Sequence, residues 1–219
     1  MNKNKLSDET KTTPCGTVLH RVVATKTFTL ANGLTINTGD LGGWIEKESN
    51  LSDNAWVSDN AQVYGNAKVS GDAKIFGNAT VSGDARVSGD TRVSGDTRVF
   101  GDAQVYGKAT VGGDTLVYGK AKVSGDAMVC GNTRVYGDAE VSGDAQIMHI
   151  SDYMVFKNNW SSGRYFTWTK SNDMWTVGCF YGTGDELIEK AYADSEDSGK
   201  HYETYVKFVE TLKNMEQDN

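Results

Sequence analysis

The residue types able to do chemistry in this 219-residue chain are few and scattered. Its three histidines, His20, His149 and His201, lie in three separate segments. A histidine can take a proton near neutral pH or ligate a metal, and a zinc site needs three or four such ligands converging. Nothing in this spacing brings three together, so no metal site is expected. His149 is the one weak candidate for a general base, and for any lone histidine a hydrogen-bonded structural role is the stronger reading. The cysteines Cys15, Cys130 and Cys179 are an odd number without CxxC spacing, and read as free thiols of a reducing compartment. A Cys179–His201 pair is conceivable, but a buried structural Cys179 is the stronger expectation. Gly39-Asp-Leu-Gly-Gly lacks the Lys-Ser/Thr ending of a phosphate loop, and there is no GxSxG elbow. No cofactor is therefore expected.

The rest of the chemistry sits on a repeat. From Leu51 to Gln146 the chain runs in hexads, beginning Leu51-Ser-Asp-Asn-Ala-Trp, Val57-Ser-Asp-Asn-Ala-Gln, Val63-Tyr-Gly-Asn-Ala-Lys. All 16 hexads begin with Leu, Ile or Val and carry Ala or Thr fifth; 14 carry Gly third. Positions five and one are two residues apart, so in an extended strand both face one side. Gly followed by Asn or Asp then turns the chain. Each hexad is thus a short strand and a corner. So short a strand buries its inner side only by coiling and stacking on the next.

The pattern resembles the hexapeptide repeat of left-handed parallel β-helix, LpxA-like proteins, in which three hexads make one triangular coil. Handedness and triangular section are implied by that resemblance. "GDLGGWIEKESNLS" running into "DNAWVSDNAQVYGNA" is similar to the opening of hexapeptide-repeat proteins of enterobacteria, phages and prophages, commonly labelled transferases. "VGCFYGTGDELIEKAY" resembles a module appended to the same proteins. Relatives with this repeat include trimeric acyltransferases with a histidine base near a subunit boundary, and carbonic anhydrases holding zinc through three histidines. Here no histidine lies within the hexads and no loop interrupts them.

The expected fold is therefore mainly β, a left-handed parallel β-helix with a small C-terminal α+β (ββαα) module. Residues 1–16 read as a flexible arm, 17–50 as an N-terminal cap, 51–150 as the helix and 151–219 as the module. In that module Arg164-Tyr-Phe-Thr-Trp-Thr and Met174-Trp-Thr-Val-Gly-Cys-Phe alternate as paired strands around the turn Lys170-Ser-Asn-Asp. Thr183-Gly-Asp-Glu186 has capping-box spacing, and Ser195–Gly199 is expected to separate two helices.

With 18 residues per coil, the outer positions sort into faces. One carries Tyr64, Ser82, Phe100, Tyr118 and Tyr136, flanked by Gln62, Thr80, Arg98, Leu116 and Arg134. An exposed aromatic row marks a contact surface, although aromatic neighbours also stack simply along a sheet. Tyr64, Phe100, Tyr118, Tyr136, Arg98 and Arg134 are the expected binding residues, toward another subunit or toward the module folded back. The corners stack aspartates, among which Lys108 and Lys120 look like charge relief; calcium is disfavoured because the oxygens spread along an edge.

The net charge of −7 argues against general nucleic-acid binding. No apolar run approaches a membrane span, and the first ten residues are polar, so a cytoplasmic protein is expected. The reading is of a non-enzymatic, phage- or prophage-encoded binding or scaffold protein, favoured because no histidine lies within the coils and no loop interrupts them. It is expected to be a homotrimer with a possible protein partner; the alternative is an acyltransferase-like enzyme.

Overall fold

The computed structural model describes residues 3–217. The hexads fold as the period requires. Each contributes one two-residue strand, sixteen in all, from β6 (Trp56–Val57) through β7 (Gln62–Val63) to β19 (Arg134–Val135), β20 (Glu140–Val141) and β21 (Gln146–Ile147). Partners in neighbouring coils are 18 residues apart and parallel, as in Arg98↔Leu116 and Val99↔Val117. Three sheets result, of eight, five and six strands, making a three-faced parallel β-solenoid of about six turns. The first-position valines and the fifth-position alanines fill its core. Before the last coil, outer residues donate their N–H to a carbonyl one coil on, as Phe100 N to Val117 O at 3.0 Å.

At the corners Gly89 has φ +81°, and a Cβ there would lie 2.4 Å from the Gly107 carbonyl oxygen. Glycine is needed both for the left-handed backbone and for the close stacking of coils. The first two corners hold Asp53 and Asp59 instead, at φ 56° and 57°. Their carboxylates accept the Gly71 and Gly77 N–H groups below, each at 3.0 Å. That bond accounts for an aspartate tolerating a backbone that otherwise favours glycine.

One N-terminal expectation is corrected. The loose arm over 1–16 is instead mostly strand: β1 (Asn4–Thr12) pairs antiparallel with β2 (Val18–Ala24). It is an edge strand, with Leu6 packed against the core, so its polar composition conceals the pairing. The cap is also continuous with the rod, because β5 (Leu41–Ile45), after the small hairpin β3 (Phe28–Thr29) and β4 (Thr35–Ile36), pairs parallel with β7. The hairpin's Phe28 packs edge-on against Trp56 at 6.0 Å, burying an aromatic that the repeat register places outside.

The C-terminal module has four strands rather than two: β22 (Tyr153–Lys157), β23 (Tyr165–Thr169), β24 (Met174–Val177) and β25 (Phe180–Gly182), in that sheet order. Two helices follow, α1 (Gly184–Asp194) and α2 (Glu196–Gln217). α1 opens with the anticipated capping box, Thr183 N donating to Glu186 Oε2 at 2.8 Å and Glu186 N to Thr183 Oγ1 at 3.3 Å. The break between helices is Ser195 alone. Gly199, expected to lie in the break, is buried inside α2 where a Cβ would strike the Tyr192 ring, so it permits close helix packing. Phe166, Trp168, Trp175, Leu187, Tyr202 and Val206 form a core separate from that of the rod.

Candidate functional site

Three rings form a continuous stack on the eight-stranded face. Phe100 and Tyr118 lie 5.1 Å apart and 2° from parallel; Tyr118 and Tyr136 lie 5.4 Å apart and 12° from parallel. Identical positions on consecutive coils are held at strand spacing, about 4.8 Å, so planar side chains there stack with little further ordering. Tyr64 stands apart, because Ser82 occupies the intervening rung. Arg98 and Arg134 are exposed beside the row, with the Arg98 guanidinium 5.7 Å from the Phe100 centroid. Tyr136, nearly half exposed, joins Tyr118, Asn132, Arg134 and Ile150 around a shallow groove of about 490 Å³.

The module does not fold back over this row. It sits across the last coil, where no further coil exists to accept backbone N–H groups. Thr167 Oγ1 accepts from Glu140 N at 2.8 Å and Ser171 Oγ from Gln146 N at 2.7 Å. Asp152 Oδ2 accepts from Met148 N and His149 N at 2.7 and 2.8 Å. Asn172 Nδ2 donates to Asp144 Oδ1 at 2.9 Å, holding that carboxyl below its usual range. On the aromatic face the closure is thinner: the Tyr153 hydroxyl donates to Arg134 O at 2.7 Å, and burial pushes that phenol's pKa up. The corner glycines of the last coil record the same asymmetry. A Cβ on Gly143 would meet Tyr181 and one on Gly131 the Met148 carbonyl, while one on Gly137 would meet nothing within 4 Å.

The histidines do not converge. His20 Nδ1 faces Ser7 O at 3.2 Å, and His201 Nδ1 faces Asp197 O at 2.8 Å within its own helix. His149 is exposed just before the turn Ile150–Asp152, outside the residues lining the aromatic groove. Among the described residues, no group of three or more His, Cys, Asp or Glu side chains could hold a metal.

Cys179 is exposed, contrary to the buried reading, because it occupies the two-residue turn between β24 and β25. Gly178 at φ +59° provides the left-handed first position that such a hairpin turn favours. Sequence reasoning missed this turn because Gly-Cys lies inside an otherwise apolar run.

The corner ladders are bound by amide-to-carboxylate bonds at their N-terminal end, as in Asn54 to Asp72 at 2.9 Å and Asn66 to Asp84 at 3.1 Å. Lys108 and Lys120 enter none of the ion pairs among the described residues, so the expected charge relief is not a direct contact. The pair that does form on the rod is Lys122–Glu140 at 2.6 Å.

A family described as the YdcK β-solenoid repeat matches residues 73–89 and 81–95, so the central hexads are similar to that repeat. No curated protein matches the chain. No helix among the described residues is long and apolar enough to cross a membrane.

Proposed function

We propose that this chain is a non-enzymatic binding or scaffold protein, a left-handed hexapeptide-repeat rod of the LpxA-like kind found in phages and prophages, acting in the host cytoplasm. The observation that supports it is the Phe100–Tyr118–Tyr136 stack, in which Phe100 and Tyr118 are half-buried and the end ring Tyr136 is 48% exposed. Monomeric proteins rarely leave a contiguous aromatic surface open to water, and aromatic residues with arginine are enriched where proteins meet. The rings and the flanking Arg98 and Arg134 are the contact residues, and the partner is first of all another copy of the chain in a trimer. Acyl transfer, the alternative, needs a base within about 3 Å of the acceptor proton. His149 is exposed just before the Ile150–Asp152 turn and is not among the residues that line the aromatic groove or the module's clefts, so no observation favours that reading.

Light scattering coupled to size exclusion tests the proposal. The expected mass is a small multiple of 23.8 kDa for the wild type, falling to the monomer for Tyr118→Ala/Tyr136→Ala. A wild-type monomer at micromolar concentration would sink the trimer, since stable interfaces persist there.

A further inference from the structure

We infer that the cleft between the β24–β25 hairpin and the two helices binds a small amphipathic organic anion, an apolar body carrying one carboxylate-like head. The cleft has a volume of about 400 Å³, within the range of about 300–1,000 Å³ that small-molecule sites occupy. Its floor is apolar: Val177, Leu187, Ala191 and Tyr202 are buried and Phe180 is half-buried. The Tyr202 hydroxyl is already bonded to Ser162 Oγ at 2.9 Å, so the ring contributes apolar surface without an unmet polar group.

The rim selects the charge. Arg164 and Lys190 are exposed there, and neither enters an ion pair among the described residues. Glu186, one turn before Lys190, is occupied by the Thr183 cap. Asp194, one turn after it, does not approach within ion-pairing distance and is the one carboxylate of the rim. Two unpaired cations above an apolar floor suit an anion with a hydrocarbon tail, because a charged hydrogen bond to the head adds to burial of the tail. The smaller cleft of about 280 Å³ elsewhere in the module has the opposite character. It is lined by Asp173, Asp185 and Glu210, and its Lys213 is already paired with Asp173.

The cleft also holds its own reporter. Cys179 stands on the lip, exposed, so a bound tail shields its thiol. The experiment titrates the full chain by calorimetry with octanoate and with the neutral octanamide, and follows alkylation of Cys179 and Cys15 by mass spectrometry. Octanoate is expected to bind about tenfold more tightly than octanamide and to lose that advantage in Arg164→Ala/Lys190→Ala, whose circular dichroism matches wild type. Saturating octanoate is expected to slow alkylation of Cys179 and leave Cys15 unchanged. Equal affinity for the two probes, octanoate binding indifferent to the double variant, an unprotected Cys179, or no heat up to about 10 mM would each overturn the inference. None of these outcomes bears on the aromatic face, which is read separately by mass.

Discussion

The rod and the C-terminal module solve the same problem, hiding the inner side of short strands, in different ways. In the rod each coil touches only its neighbours, so one rule repeated sixteen times builds the core from valine, alanine and threonine. In the module four strands and two helices enclose a core that includes Phe166, Trp168 and Trp175, each buried by contacts distant in sequence. Of the chain's 22 aromatic residues, 13 lie in 151–219, so the large side chains concentrate where no repeat dictates their place. The difference teaches that a solenoid is regular inside and unfinished at its end. Its last coil exposes N–H donors that the repeat cannot satisfy, and the irregular module supplies the hydroxyls and carboxylates that accept them.

The largest expected effect is in the rod. Val99 is fully buried, and Val99→Asp places an unpaired carboxylate in a narrow apolar core, costing roughly 4 kcal/mol or more. Ser94→Asp on the outer surface is expected to leave melting by circular dichroism nearly unchanged; equal losses would mean that the register is wrong.

Next comes Trp175→Ala, expected to cost about 3–5 kcal/mol but within the module alone. Two melting transitions should separate, with the near-ultraviolet signal lost first. A single shared transition would make rod and module one cooperative unit and dissolve the contrast.

A third variant pair tests the stacking itself. Gly137→Ala should cost about 1–2 kcal/mol for the left-handed backbone alone. Gly89→Ala should cost clearly more, since its Cβ also meets the Gly107 oxygen at 2.4 Å. Matching melting temperatures would show that coil-to-coil contact at the corners is unimportant.

The junction should respond more gently. Thr167→Val removes the acceptor of the Glu140 N–H and is expected to cost about 1 kcal/mol, read as faster amide exchange at Glu140. No change at that amide would remove the hydroxyl from the account of end-capping.

The smallest effect is in acid. Because the Asn172 amide holds Asp144 below its ordinary value of 3.8, the bond stabilises docking above that value and weakens as pH falls through the lowered folded one. Module melting should therefore drop slightly more steeply below about pH 4 in the wild type than in Asp144→Asn. Identical acid profiles would assign the bond no part in docking.

Much of the rod was legible in the residues because its interactions are local in register. The six-residue period implies strand and corner, and stacking 18 apart places Phe100, Tyr118 and Tyr136 in one row, as the ring stack bears out. The Thr183–Glu186 cap was legible for the same reason, its partners being three residues apart. Pairings without a short period were hidden. β1 is polar along most of its length, so only its antiparallel neighbour makes it a strand. Trp56 follows the outward register yet is buried, with Phe28 edge-on against its ring and Gly42 close beside it. The cleft beside Cys179 and the seat of the module on the last coil likewise depend on groups brought together from separate segments of the chain. The sequence alone determined the repeating unit, since six residues suffice to specify a strand and a turn. Only tertiary structure decided where that repetition stops and what closes it, because a coil's unmet N–H groups place no constraint on which distant side chain will accept them.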